Sequence, residues 1–155
     1  MEEYQDFEEF INLLNKHKVE YLIVGGYAVT FHSRPRFTED LDVWINKTKK
    51  NSKRIFEALE EYGYGNIDIK IEDFTKDNLV LQLGYRPVRI DILTSIEGVR
   101  FSKAYKSREK GLFYGKINAD YINLESLLIN KASVDRKKDK EAIDWINDNL
   151  KSKKK

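Results

Sequence analysis

The 155-residue chain has no cysteine. Disulfides and thiolate metal centres are thereby excluded, and any metal must be held by oxygen or imidazole. Histidine is scarce as well. His17 and His32 are the only two, too few for a zinc cluster without help from carboxylates. The longest mostly apolar run, residues 21–31, is interrupted by Gly25 and Gly26, and it is too short to cross a bilayer. The opening MEEYQDFEEF is acidic and lacks the basic start and apolar stretch of a secretory leader. The expectation is a cytoplasmic protein with no membrane partner.

A strong charge of one sign is also missing. The formal net charge is +2, but four lysines sit in the last five residues; without them 24 basic residues face 26 acidic ones. The body therefore lacks the basic face of a dedicated DNA-binding domain. Residues 151–155 read as a disordered basic tail that either solubilises the chain or touches nucleic acid. The whole chain is 41% apolar, and residues 1–150 are of a size to bury one core, with no repeat or linker to divide them.

Apolar spacing at Phe7, Phe10, Ile11 and Leu14 predicts an amphipathic helix over 4–17. Tyr21–Val24 reads as a buried strand broken by Gly25-Gly26. A short helix over 28–33 follows, bounded by the restriction that Pro35 places on its neighbour. Residues 41–45 read as a second strand and 50–62 as a helix. Residues 63–77 fit either an edge strand, from the alternation of Ile67, Ile69 and Ile71, or a loop. Residues 79–83 and 88–94 around a Gly/Pro connection read as an antiparallel hairpin. A last strand over 116–122 leads to Asn123, a helix cap for Leu124, Leu127 and Leu128. A final helix spans about 137–149, with Ala142, Ile146 and Leu150 on one face. Tyr62, Tyr64 and Phe74 are either core residues or a surface for self-association. The order of elements predicts an α+β (mixed α/β) fold, a small mixed β-sheet flanked by helices.

Three features carry chemistry. A strand running into Gly25-Gly26 and then a helix suits close approach of an anion to free N–H groups, although the same dipeptide also makes ordinary tight turns. Neither a Walker loop nor a three-glycine dinucleotide pattern is present. Asp40 and Asp42 stand at i and i+2, so on a strand both carboxylates share one face, about 6–7 Å apart at the backbone. Such a pair is either solvated or held together by a hard cation such as Mg²⁺ or Mn²⁺. Asp91 lies inside the apolar run from Val88 to Leu93, where a carboxylate is costly unless paired. Its partner is either Arg89, two residues away on the same face, or a metal shared with Asp40 and Asp42.

The combination of Gly25-Gly26, then thirteen residues, then Asp40-Leu41-Asp42, with Asp91 in a later strand, resembles the nucleotidyltransferase superfamily of the DNA polymerase beta type. Residues 36–42, Arg-Phe-Thr-Glu-Asp-Leu-Asp, are similar to that superfamily's Arg-x-Thr/Ser-x-Asp-x-Asp element. The likeness is strongest over 19–45 and 84–101. It is greatest to small stand-alone bacterial members related to abortive-infection toxins and antibiotic nucleotidyltransferases. It implies catalytic, metal-binding roles for Asp40, Asp42 and Asp91. It also implies phosphate contacts from Gly25, Gly26, Arg36, Thr38 and Lys131. Two departures stand out: Gly25-Gly26 replaces the Gly-Ser of many relatives, and residues 131–139 lack the glycine and proline expected of a basic element after a helix. His32 is a surface or packing residue or faces the site from its helix.

The activity implied is metal-dependent transfer of a nucleoside monophosphate from a nucleoside triphosphate to a hydroxyl acceptor on tRNA, a protein or a small molecule. A non-catalytic nucleotide-binding or regulatory module is the alternative, as is a partner-binding member of a toxin–antitoxin pair. Association with itself or with a small helical partner protein fits the latter.

Overall fold

A computed structural model describes residues 2–33, 40–65, 68–85 and 88–138. Its elements in chain order are α1 (Glu2–Lys16), β1 (Tyr21–Val24), α2 (Gly25–His32), β2 (Asp40–Ile45) and α3 (Lys49–Leu59). A π turn (Glu60–Tyr64) and a 3-10 turn (Ile71–Thr75) lead to β3 (Val80–Tyr85) and β4 (Val88–Leu93). Then come α4 (Phe101–Lys106), β5 (Glu109–Phe113), β6 (Ile117–Tyr121) and α5 (Leu124–Lys138). The six strands form one sheet in the order β3-β4-β2-β1-β6-β5; that it is mixed and flanked by helices is as expected from the sequence. Two pairings are parallel, β2 with β4 and β1 with β6, and the other three are antiparallel.

Strand alternation divides the core. Ile23, Leu41, Val43, Ile45, Ile90 and Ile92 face one side with Phe7, Phe10, Ile11 and Leu14 of α1 and Ile55, Ala58 and Leu59 of α3. Leu22, Val24 and Trp44 face the other, against Ala28 of α2, Ala104 of α4 and Leu127 of α5. Phe101 meets Trp44 edge-on, with ring centroids 5.0 Å apart. Asn51 is almost wholly buried, 1% exposed. Its side chain accepts from the Glu20 amide at 2.7 Å and donates to the Glu20 and Asn46 carbonyls at 3.0 and 2.7 Å. It thereby fastens α3 to one end of the β1–β2 pair, where Glu20 precedes β1 and Asn46 follows β2.

The structure moves one helix boundary and decides two readings that the sequence leaves open, a loop rather than a strand within 63–77 and core rather than surface for Tyr62, Tyr64 and Phe74. The helix after β1 begins at Gly25 rather than residue 28, because Gly25 adopts φ +68° and turns the chain without a loop. Residues 71–75 coil instead of extending as an edge strand. Asp73 accepts from the Lys70 amide at 2.9 Å, and Phe74 goes fully into the core. Tyr62 and Tyr64 pack against the same core, so the three aromatics are not a free surface patch. Asn123 does cap α5, accepting from the Ser126 amide at 2.8 Å. Of the three leucines behind it only Leu127 is buried; Leu124 and Leu128 are exposed. α4 and β5 escape sequence reasoning. Most of the final helix expected over 137–149, the tail 151–155, and the stretch with Arg36 and Thr38 lie outside the described residues.

Candidate nucleotide and metal site

The parallel ladder of β2 and β4 sets Asp42 opposite Asp91 and Asp40 opposite Arg89. Paired residues share a face, so three carboxylates and one guanidinium stand together on one face of the sheet. The antiparallel β1–β2 ladder sets Val24 opposite Asp42. The next residue, Gly25, therefore opens α2 beside the Asp42 carboxylate. A Cβ at Gly25 would collide with Asp42 Oδ2, which makes glycine a requirement of close approach as well as of φ. The two sequence motifs thus meet in space. Gly26 follows within the first turn of α2.

Arg89 holds the cluster together. Its Nε donates to Asp91 Oδ1 at 3.1 Å and its Nη2 to Asp91 Oδ2 at 2.9 Å. The same Nη2 lies 3.4 Å from Asp40 Oδ2. Asp91 is buried and Asp40 half-buried. One cation facing three carboxylates leaves an excess of negative charge, and the effect falls on Asp42. Burial first, then the charges of Asp91 and Asp40, push its carboxyl up to about 7, while Arg89 pulls the other way. A hydrogen bond between the Asp42 and Asp91 carboxyls adds to the rise. Like-charged acids at one site do not both ionise freely.

The donor set fits a hard divalent cation in kind, being all oxygen and short of positive charge. In arrangement it is closed: both Asp91 oxygens are taken by Arg89. Among the described residues no group of three or more His, Cys, Asp or Glu side chains is gathered as a ready metal cage. Lys131 is exposed on α5, and among the described residues it makes no ion pair with the carboxylates. His32 is accounted for structurally, since its Nε2 lies 2.6 Å from the Ile122 carbonyl and ties α2 to the end of β6. Sequence reasoning does not reach Gln82, which sits opposite Asp91 on β3; no pattern in the sequence marks it, because only the ladder register brings it to the site.

The sequence matches, over residues 3–155, the profile of a family described as nucleotidyl transferase of unknown function. Among solved structures it is similar to that of a Thermotoga maritima protein provisionally named a nucleotidyltransferase. That likeness has a TM-score of 0.59 at 13% identity, covering 92% of this chain and 91% of the other; at that identity it shows a shared fold. No curated protein matches the sequence. No helix among the described residues is long and apolar enough to cross a membrane.

Proposed function

The chain belongs to a nucleotidyl transferase family of unknown function, and from that premise we propose that it moves a nucleoside monophosphate from a triphosphate such as ATP to a hydroxyl acceptor. The observation that carries this reading is the meeting of Asp40, Asp42 and Asp91 with the Gly25 start of α2 on one face of the sheet. The first amides of α2 and the positive end of its dipole offer an anion site for the triphosphate. Asp40, Asp42 and Asp91 would hold a Mg²⁺ or Mn²⁺ ion, which when bound neutralises triphosphate charge and polarises the reacting phosphate. Asp91 accepts the acceptor's hydroxyl proton. The freed oxygen bonds to the α-phosphorus, the bond from that phosphorus to the α–β bridging oxygen breaks, and pyrophosphate leaves with the electron pair.

Arg89 has to release Asp91 for this to occur. Its two-pronged grip supports a second reading, in which the carboxylates are structural and the chain is a non-catalytic nucleotide-binding module. Incubation with α-³²P-labelled triphosphates, a divalent ion and a panel of RNA, protein and small hydroxyl acceptors separates the two. Label transfer with pyrophosphate release, lost in Asp42→Asn, supports transfer. Nucleotide binding with neither product supports the module.

A further inference from the structure

Beside the carboxylates, β3 leaves one face of the sheet bare. Gly84 lies opposite Arg89 and Gln82 opposite Asp91 in the β3–β4 ladder, so both share the face of the acidic cluster. Gln82 and Gly84 are exposed. They floor a cleft of about 550 Å³ bounded by Tyr64, Tyr85 and Arg89, a volume in the range of small-ligand sites. Tyr85 is 89% exposed at the hairpin end. Tyr64 lines the same cleft, stacked on Tyr62 at 5.6 Å between centroids. Its hydroxyl lies 3.8 Å from the place a Cβ on Gly84 would take. Gly84 has φ +76°, and a Cβ there would also press on the Val88 carbonyl. The cleft floor is therefore backbone, which a flat ligand can approach closely.

We propose that this cleft is a nucleobase site, holding the base of a nucleotide whose phosphate or hydroxyl group reaches the carboxylates. The chemistry suits that class. Phenol rings at the rim offer stacking surfaces, which accept any base. The Gln82 amide presents a donor and an acceptor side by side, as a base edge requires. Arg89, held by Asp91 and Asp40, joins the cleft to the carboxylates. The inference rests on the nucleotidyl transfer reading for the neighbouring site, but the cleft is built from residues that reading does not use, apart from Arg89. The base can belong to the triphosphate donor or to a nucleotide acceptor.

The test measures dissociation constants for ATP, CTP, tripolyphosphate and a three-residue oligoribonucleotide in Mg²⁺, using wild type, Tyr85→Ala, Gln82→Ala and Asp42→Asn. Tyr85 and Gln82 are exposed, so their variants keep the core intact. Base stacking predicts about tenfold weaker binding of base-bearing ligands to Tyr85→Ala, with tripolyphosphate unaffected. Competition between the oligoribonucleotide and ATP assigns the cleft to the donor's base; simultaneous binding assigns it to the acceptor's. Nucleotide binding that needs Asp42 and ignores Tyr85 and Gln82 overturns the nucleobase site and leaves nucleotidyl transfer standing. Binding that needs Tyr85 and ignores Asp42 and Mg²⁺ keeps the nucleobase site and overturns the carboxylate reading. No binding of any base-bearing probe overturns both.

Discussion

The carboxylate of Asp42 rests where a side chain at Gly25 would place its Cβ. This contact joins the end of β1 to the start of the acidic strand, and it makes a backbone position part of the site's geometry.

Gly25→Ala should accordingly do two kinds of harm. A residue at φ +68° is strained, and the new methyl forces Asp42 aside. A loss of about 1–3 kcal/mol is expected in urea unfolding. Weaker divalent-ion binding, followed by calorimetry, should accompany it. A Gly25→Ala protein of unchanged stability and ion affinity would show that the close approach is incidental.

Asp42 makes stability depend on pH with a definite sign. In the folded chain its carboxyl holds a proton up to about 7, against an ordinary 3.8. The folded state thus binds more protons than the unfolded chain between those values. The stability from this group is complete below about pH 4 and is lost as pH rises through 7. Asp42→Asn imitates the protonated acid. It should exceed wild type in stability by about 1–3 kcal/mol at pH 8, after allowance for partial solvent screening. The advantage should vanish near pH 4. Denaturant titrations at the two pH values check this, and an advantage independent of pH would contradict it.

The neighbours of Asp42 should move its titration in opposite directions. Arg89 lowers its pKa while Asp91 and Asp40 raise it. Arg89→Gln should therefore raise the Asp42 carboxyl further, and Asp91→Asn should lower it. The carboxyl ¹³C resonance of Asp42, followed against pH, reports both. Shifts in the same direction would break the proposed coupling.

Asn51 offers a test of the scaffold away from the chemistry. Asn51→Ala removes three hydrogen bonds at a nearly sealed position, including those that meet the Glu20 amide and the Asn46 carbonyl, while the Glu20 carbonyl keeps the Asn46 amide at 3.1 Å. The expected cost is about 2–4 kcal/mol in denaturant unfolding.

The central strands and the helix α1 are legible in the sequence because burial is one-sided and periodic. Phe7, Phe10, Ile11 and Leu14 repeat at helical spacing, and each is buried. The acidic cluster is legible for a related reason: Asp91 stands out within an apolar strand, and its partner Arg89 lies at i−2. Less can be read at the margins. β5, with the sequence Glu-Lys-Gly-Leu-Phe, buries only Phe113, so its pairing with β6 leaves no alternating pattern to detect. The alternation of Ile67, Ile69 and Ile71 suggests a strand, yet the Asp73 cap and the burial of Phe74 stabilise a tight turn instead. Gln82 and Tyr85 reach the site only through the register of β3 on β4. Such a register depends on tertiary pairing, which single residues do not announce.

Thermal unfolding with each nucleoside triphosphate, with and without Mg²⁺ or Mn²⁺, tests the account most directly when wild type is compared with the Asp40→Asn/Asp42→Asn double variant. Ligand at a hundred times its dissociation constant adds about 2.7 kcal/mol, or roughly 5–10 °C for a domain of this size. A shift of that order that requires the metal and disappears in the double variant is the predicted result. No shift with any triphosphate, or an equal shift in the double variant, would contradict the assignment of the carboxylates to a nucleotide site.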